Sequence, residues 1–266
     1  MEYTKKYKVE QNQYTKEGKE IKILYLQPID ENTVLDEWAE HFREQYRYMD
    51  DLDFQRDGTG LSREEFLRDF VFPDTKKAPG PSVRVGDFCE LLVADYIEYV
   101  SNFYVPRTRY RGKINRDSSP QGSDLLGFKT GKKASERDVA LIYEVKGTSD
   151  PKSAKKGYQR LQDAVDDSNK DLVRYAESLN ATKMKLRDLN EMEQVSIVTR
   201  FQNRTDRPYV IKYGASAVLT EEKYNEEDLK LVSTEGHHSK HVELLVIHTD
   251  NLKKLIDEMY RRAAIC

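Results

Sequence analysis

The sequence predicts an α/β fold, a small mixed sheet flanked by helices with an α+β extension ahead of it, on three observations. Short β-branched and aromatic runs alternate with segments of helical period along most of the chain. One run, ERDVALIYEVKGT at 136–148, is long and apolar enough to be a buried central strand. The stretch PDTKKAPGPS at 73–82 holds three prolines and a glycine and marks a boundary, which divides the chain into an extension at 1–80 and a main domain at 81–266.

Element by element, YKVEQNQYT and EIKILYLQPI are strand-like and are parted by the turn-like KEGKE, so the chain opens with a hairpin. Helices are expected over Val34–Tyr48 and Leu61–Phe72. Val83–Val100 is apolar around most of a helical circumference, as a buried helix is. NFYVPRTRYR alternates weakly and reads as a strand, and GSDLLGFKT as a second one after a Pro/Gly/Ser turn. A polar helical region follows from Ser153 to Glu193 with a break near Asn180. VSIVTRF, YVIKYGASAVLT and HVELLVIHT are strand-like, and NLKKLIDEMYRRAA closes as an amphipathic helix.

With 266 residues, of which 38% are hydrophobic and 34% charged, the chain has enough apolar material for a core without disulfides. Cys89 and Cys266 have no zinc-type spacing. No apolar run approaches the roughly 18 residues of a membrane span, and MEYTKKYKVEQ lacks the apolar centre of a secretion signal, so a cytoplasmic protein is expected. A net charge of −3 argues against coating nucleic acid through bulk charge. Two local groups could still grip a phosphate backbone: Arg107, Arg109, Arg111, Lys113 and Arg116, and further on Lys152, Lys155, Lys156 and Arg160. On a chain this charged, both also read as solvated faces.

The chemistry centres on Asp124 in GSDLLG and on Glu144 and Lys146 in YEVKG. Side chains alternate along a strand, so Glu144 and Lys146 share a face, and a strand carrying Asp124 twenty residues earlier can lie beside them as a hairpin partner. Two carboxylates and an ammonium at one point suit phosphodiester hydrolysis. Asp124 and Glu144 offer hard oxygen ligands for Mg²⁺ or Mn²⁺, and Lys146 positions the water. Acid-x-Lys recurs at Glu17, Glu20, Asp74, Asp150, Glu221 and Asp228, but only Glu144 ends an apolar run, where a carboxylate needs a cation. The plainer alternative is a half-buried ion pair at a strand end. Glu90 is a third acid, with Gly86, Val93, Ala94 and Ile97 as its helical neighbours, and is expected to face inward. Gln159 and Gln162 sit on the helix after the Glu-x-Lys strand and could face the site. His237, His238 and His241 in HHSKH read as an exposed loop, and Tyr96, Tyr99, Phe103 and Tyr104 as core.

The order of these motifs, Glu90 in GDFCELL, Asp124 in GSDLLG, Glu144-Val145-Lys146 and a glutamine-bearing helix, resembles the PD-(D/E)XK nuclease superfamily over about Val83–Leu219. Ser123 stands where that superfamily often has proline. More narrowly, the chain length, the GDFCELLVADYI helix and its spacing to GSDLLGFK and YEVKG resemble the HamA family, the nuclease subunit of Hachiman anti-phage defence. The resemblance implies a restriction-endonuclease-like core and a Mg²⁺-dependent deoxyribonuclease of little sequence preference. It also implies a superfamily 2 helicase partner, HamB-like, that restrains the nuclease. Glu144 and Lys146 then match the catalytic strand, Asp124 the metal ligand and Glu90 the helical acid. The extension at 1–80, lying outside such a core, becomes the expected partner-docking surface. A site-specific restriction-type endonuclease and a non-catalytic nucleic-acid-binding subunit are the alternatives.

Overall fold

The strand expected at 136–148 sits one place in from the edge of a single sheet and is buried on both faces. The computed structural model describes residues 1–111 and 113–266, and the side chains of all of these but 171–173. In chain order the strands are β1 (Tyr7–Val9), β2 (Gln13–Tyr14), β3 (Glu20–Leu26), β4 (Leu125–Lys129), β5 (Val139–Thr148), β6 (Val210–Thr220) and β7 (Val242–Thr249). They lie in the order β1-β3-β7-β6-β5-β4, with β2 also on β3. The inner pairs β3–β7, β7–β6 and β6–β5 are parallel; β4 runs antiparallel to β5, and β1 and β2 antiparallel to β3. The fold is thus mixed α/β, as expected.

The helices are α1 (Asn32–Tyr46), α2 (Met49–Arg56), α3 (Arg63–Phe66), α4 (Gly80–Asp95), α5 (Gly157–Ser168), α6 (Asp171–Asp188), α7 (Met192–Arg200), α8 (Glu226–Leu229) and α9 (Leu252–Ile265). Strand parity divides the core. Leu141, Tyr143 and Val145 of β5 join Trp38 of α1, Phe88 of α4 and Met259 of α9 in one apolar cluster. Ala140 and Ile142 join Leu161 of α5, Leu179 of α6 and Val198 of α7 in the other. Two-sided burial of this kind is why parallel strands read as near-continuous apolar runs. Among the described residues, no helix is long and apolar enough to cross a membrane.

Residues 1–80 are not an extension lying outside the core. β3 pairs in parallel with β7, from Ile21↔Leu244 to Tyr25↔His248. On α1, Phe42 packs edge-on against Tyr260 of α9 with ring centroids 4.8 Å apart, and Trp38 lies 5.8 Å from Phe88. Two of the three prolines that suggested a boundary, Pro79 and Pro81, instead open α4, where a missing N–H costs nothing. The reason for placing partner docking at 1–80, that it stands apart from the core, is therefore removed.

Other local readings also change. VSIVTRF is helical, within α7, because Val198 and Phe201 bury a helical stripe and Thr199 Oγ1 donates back to the Val195 carbonyl at 2.7 Å. Tertiary packing here overrides β-branched propensity. The long helical region breaks at Asn169–Lys170 rather than near Asn180, which is exposed on α6 and accepts from Gln202 at 2.6 Å. NFYVPRTRYR contributes a single bridge, Tyr104↔Phe128, instead of a strand. Met49–Arg56 forms a helix where none is expected from the sequence.

Asp95, at the end of α4, joins distant parts of the chain: it accepts from Tyr3 Oη at 2.7 Å and Arg107 Nη2 at 2.7 Å, and meets His41 Nε2 at 3.0 Å. Burial pushes its carboxyl upward, but Arg107, His41 and Tyr3 outweigh burial and hold it below the usual carboxylate value. A depressed folded-state pKa supplies stability above the unfolded value of about 4, and that stability is lost as pH falls through the folded value. Asp95→Asn is therefore expected to lose about 3 kcal/mol in urea unfolding at pH 7, with the gap to wild type closing below about pH 4. Gly214 lies directly beneath Tyr143 on the neighbouring strand, and a Cβ there would overlap the ring. Gly214→Val is expected to cost about 1–3 kcal/mol by overpacking, read as a lower thermal midpoint.

Candidate active site

Parity along β5 turns Glu144 and Lys146 to the same face, the one covered by α5. Lys146 Nζ donates to Glu144 Oε1 at 2.6 Å and lies 2.8 Å from Asp167 Oδ2 of α5. Burial works to lower the Lys146 pKa, but Glu144 and Asp167 outweigh it and raise the pKa, so the ammonium stays charged. Asp167 is a member that the sequence reading missed. Its signal was present: Arg160, Asp163 and Asp167 recur at helical spacing along α5.

The antiparallel register Leu125↔Tyr143 sets Asp124, one residue ahead of β4, beside the Glu144–Val145 peptide. The Val145 N–H donates to Asp124 Oδ2 at 3.0 Å. On its other oxygen Asp124 accepts from Arg109 Nη2 at 2.8 Å, while Arg109 Nε donates to Glu90 Oε2 at 2.7 Å and Nη1 to the Ser123 carbonyl at 2.7 Å. Glu90, on α4, also accepts from the Tyr110 hydroxyl. Burial, reinforced by Asp124 and Asp87 and opposed by Arg109, pushes the Glu90 carboxyl up to about 8. Arg109 is also disfavoured by burial, but Glu90 and Asp124 more than compensate and hold its charge.

The four basic residues expected to grip DNA are engaged inside the protein. Arg107 pairs with Asp95 at 2.7 Å and Glu98 at 2.6 Å. Arg109 bridges Glu90 and Asp124. Arg111 lies over the Tyr48 ring, 3.7 Å from its centroid, and 3.5 Å from Glu191. Lys113 is buried on Asp87 at 2.8 Å. Their alternation is real, but it follows the acids of α4 and of the helical turn just after it, and three of the four meet these in reverse order: Glu98 and Asp95, then Glu90, then Asp87. This placement supports an internal tether and not a phosphate grip.

An open cleft of about 540 Å³ has Glu90, Asp124, Glu144, Lys146, Arg160 and Arg174 in its wall. Neither expected glutamine lines it. Gln159 accepts from the Lys156 N–H at 2.8 Å and caps α5, and Gln162 is tied to both backbone groups of Ser233. The α5 side chain that does reach the cleft is Arg160. Lys155 pairs with Asp163 and Lys156 with Asp228. His237 and His238 stack on each other at 4.5 Å, half-buried or nearly exposed, and His241 is exposed. Tyr96 is core as expected, whereas Tyr99 is more than a third exposed.

Among the described residues, no three His, Cys, Asp or Glu side chains stand together as a ready metal cage. The donors nevertheless suit a hard cation: Glu90 and Asp124 already share one positive group, the Arg109 guanidinium, and Glu144 is on the adjoining strand.

Fold and cleft together define a mixed α/β protein with an acid-and-lysine site toward the carboxyl end of the inner strand β5. The chain belongs to the HamA family, whose model matches residues 1–263. This is the HamA component of Hachiman defence, so membership points to a role in that system and to a partner within it. No curated protein matches the chain.

The Lys113–Asp87 pair tests the tether, because its two side chains are 4% and 1% exposed. Lys113→Met alone leaves a buried carboxylate and is expected to cost about 3–5 kcal/mol; adding Asp87→Leu should recover most of this in chemical denaturation.

Proposed function

We propose that the chain is a metal-dependent deoxyribonuclease with a PD-(D/E)XK core, the effector of a helicase-gated anti-phage complex, cutting DNA with little sequence preference. The observation that carries this reading is the convergence of Asp124, Glu144 and Lys146 from two paired strands on one open cleft. Family membership supports the defence setting.

In this reading Asp124 and Glu144 hold Mg²⁺ or Mn²⁺, with Glu90 as a further ligand. The bound ion would polarise the phosphodiester and favour a hydroxide nucleophile. Lys146, fixed from two sides by Glu144 and Asp167, steadies the attacking water and the charge that develops on the phosphate. Arg160 and Arg174, in the cleft wall, take the phosphate contacts first assigned to the Arg107–Lys113 stretch. Contacts to phosphate carry no base information, which is why little sequence preference is proposed. The partner is a superfamily 2 helicase, HamB-like, that holds the nuclease in check.

Purified protein incubated with plasmid and single-stranded DNA tests this, with Mg²⁺ or EDTA and with Glu144→Ala and Lys146→Ala checked for folding by circular dichroism. A metal-dependent smear, lost in both variants, is expected; discrete fragments would indicate a site-specific enzyme instead. Silence both alone and with the helicase and ATP would indicate a non-catalytic subunit. The double variant Arg160→Ala/Arg174→Ala is expected to weaken DNA binding and to flatten the slope of log affinity against log salt by about 2.

A further inference from the structure

We propose that Arg109 is a built-in counter-ion that occupies the cation position of the cleft, and that a divalent metal binds only when this side chain swings away from Glu90 and Asp124. The inference rests on the metal-dependent reading above. It begins with geometry: all three guanidinium nitrogens are used, Nε on Glu90 Oε2 at 2.7 Å, Nη2 on Asp124 Oδ1 at 2.8 Å and Nη1 on the Ser123 carbonyl at 2.7 Å. A Mg²⁺ ion sits about 2.1 Å from its oxygen ligands. Bound to the same Asp124 oxygen, it would be pressed against a permanently charged guanidinium. The second Asp124 oxygen is taken by the Val145 N–H. Metal and Arg109 therefore compete for one position.

The structure also offers the side chain somewhere to go. Arg109 and Asp124 form part of the wall of the open cleft and also of a smaller cavity of about 80 Å³. That volume is room for several waters, where one needs roughly 10–15 Å³. Gln45, Gln121, Ser178 and Thr182 bring acceptors to its wall. Gln45 is 4% exposed, its Nε2 donates to the His41 carbonyl at 2.9 Å, and its Oε1 has no hydrogen-bond partner among the described residues. A buried acceptor without a donor is costly, and a guanidinium brings donors. Arg107 and Lys185 are the other cations in the cavity wall; Arg107 is held on Asp95 and Glu98, and the Lys185 Nζ is already turned to the carbonyls of Thr108 and Arg109. The backbone need not move far, since Arg107 and Lys113 pin the segment to α4 on both sides of Arg109.

The test measures Mn²⁺ binding by titration calorimetry and by metal-induced shift of the thermal midpoint, in wild type, Arg109→Gln, Arg109→Lys and Gln45→Leu. Arg109→Gln removes the competing charge and is expected to bind Mn²⁺ about tenfold more tightly or better, as follows when a blocking state is removed. Arg109→Lys keeps the charge and is expected to stay within about threefold of wild type. Gln45→Leu removes the receiving acceptor and is expected to bind several-fold more weakly. A second measurement uses the wild-type protein, so that a folding failure of the variants does not decide the matter: adding Mg²⁺ should expose the Arg109 Nε–H, read by NMR as a loss of exchange protection. Binding by Arg109→Gln no tighter than by wild type, or an Arg109 Nε–H that stays protected at saturating Mg²⁺, would overturn the proposal while leaving a metal-dependent nuclease intact. If neither wild type nor Arg109→Gln binds either ion, the metal-dependent reading itself fails and takes this one with it.

Discussion

Acids buried along an apolar helix need hydrogen-bonding and cationic partners, and Arg107, Arg109 and Lys113 bring the cations to α4. Asp87, Glu90 and Asp95 are all buried on that helix, and each is met by a basic side chain from the segment. Removing charge from either side would leave the other stranded in low dielectric. Among the described residues, 107–111 and Lys113 are thereby held against α4 without forming a strand. The most exposed consequence is the position of Arg109, which can bridge Glu90 and Asp124 only because Arg107 and Lys113 fix the segment on both sides.

The sheet imposes a second order on the cleft. Two-residue periodicity sends Tyr143 and Val145 into the core shared with α1, α4 and α9, and leaves Glu144 and Lys146 to face α5. From α5 come Asp167, which shares the lysine, and Arg160, which lines the cleft. The antiparallel partner β4 then brings Asp124 to the same end. The site is a junction of α4, β5, α5, α6, the stretch carrying Arg109 and the lead-in to β4, each with its own structural reason to be there.

Much of this was legible in the sequence. β4, β5, β6, β7, α1, α4 and α9 correspond to expected elements, because a run such as VALIYEVK has to be buried and a stripe such as that in LKKLIDEMYRRAA has to face a core. Asp124, Glu144, Lys146 and Glu90 were singled out by the same logic, as charges placed where charge is costly. What could not be read was pairing between segments. An arginine row looks the same whether it faces solvent or a row of acids nineteen residues away in Glu90 and Arg109. Prolines look the same at a linker and at the first turn of a helix, so the boundary near residue 80 was misplaced. The glutamines of α5 were noticed by type, but Gln159 caps its own helix and Gln162 holds a neighbouring loop.

The parallel pairing of β3 with β7 has a consequence for how the protein comes into being. Ile21 meets Leu244, so the sheet cannot close until more than two hundred further residues have been made after β3. Contacts this distant in sequence are slow to form, because the loop entropy is spent before the pairing repays it. On the ribosome β5 emerges with its sheet unfinished, and α9, which packs on α1, follows β7. The cleft wall on β5 therefore stays without its complete sheet until β7 has been made.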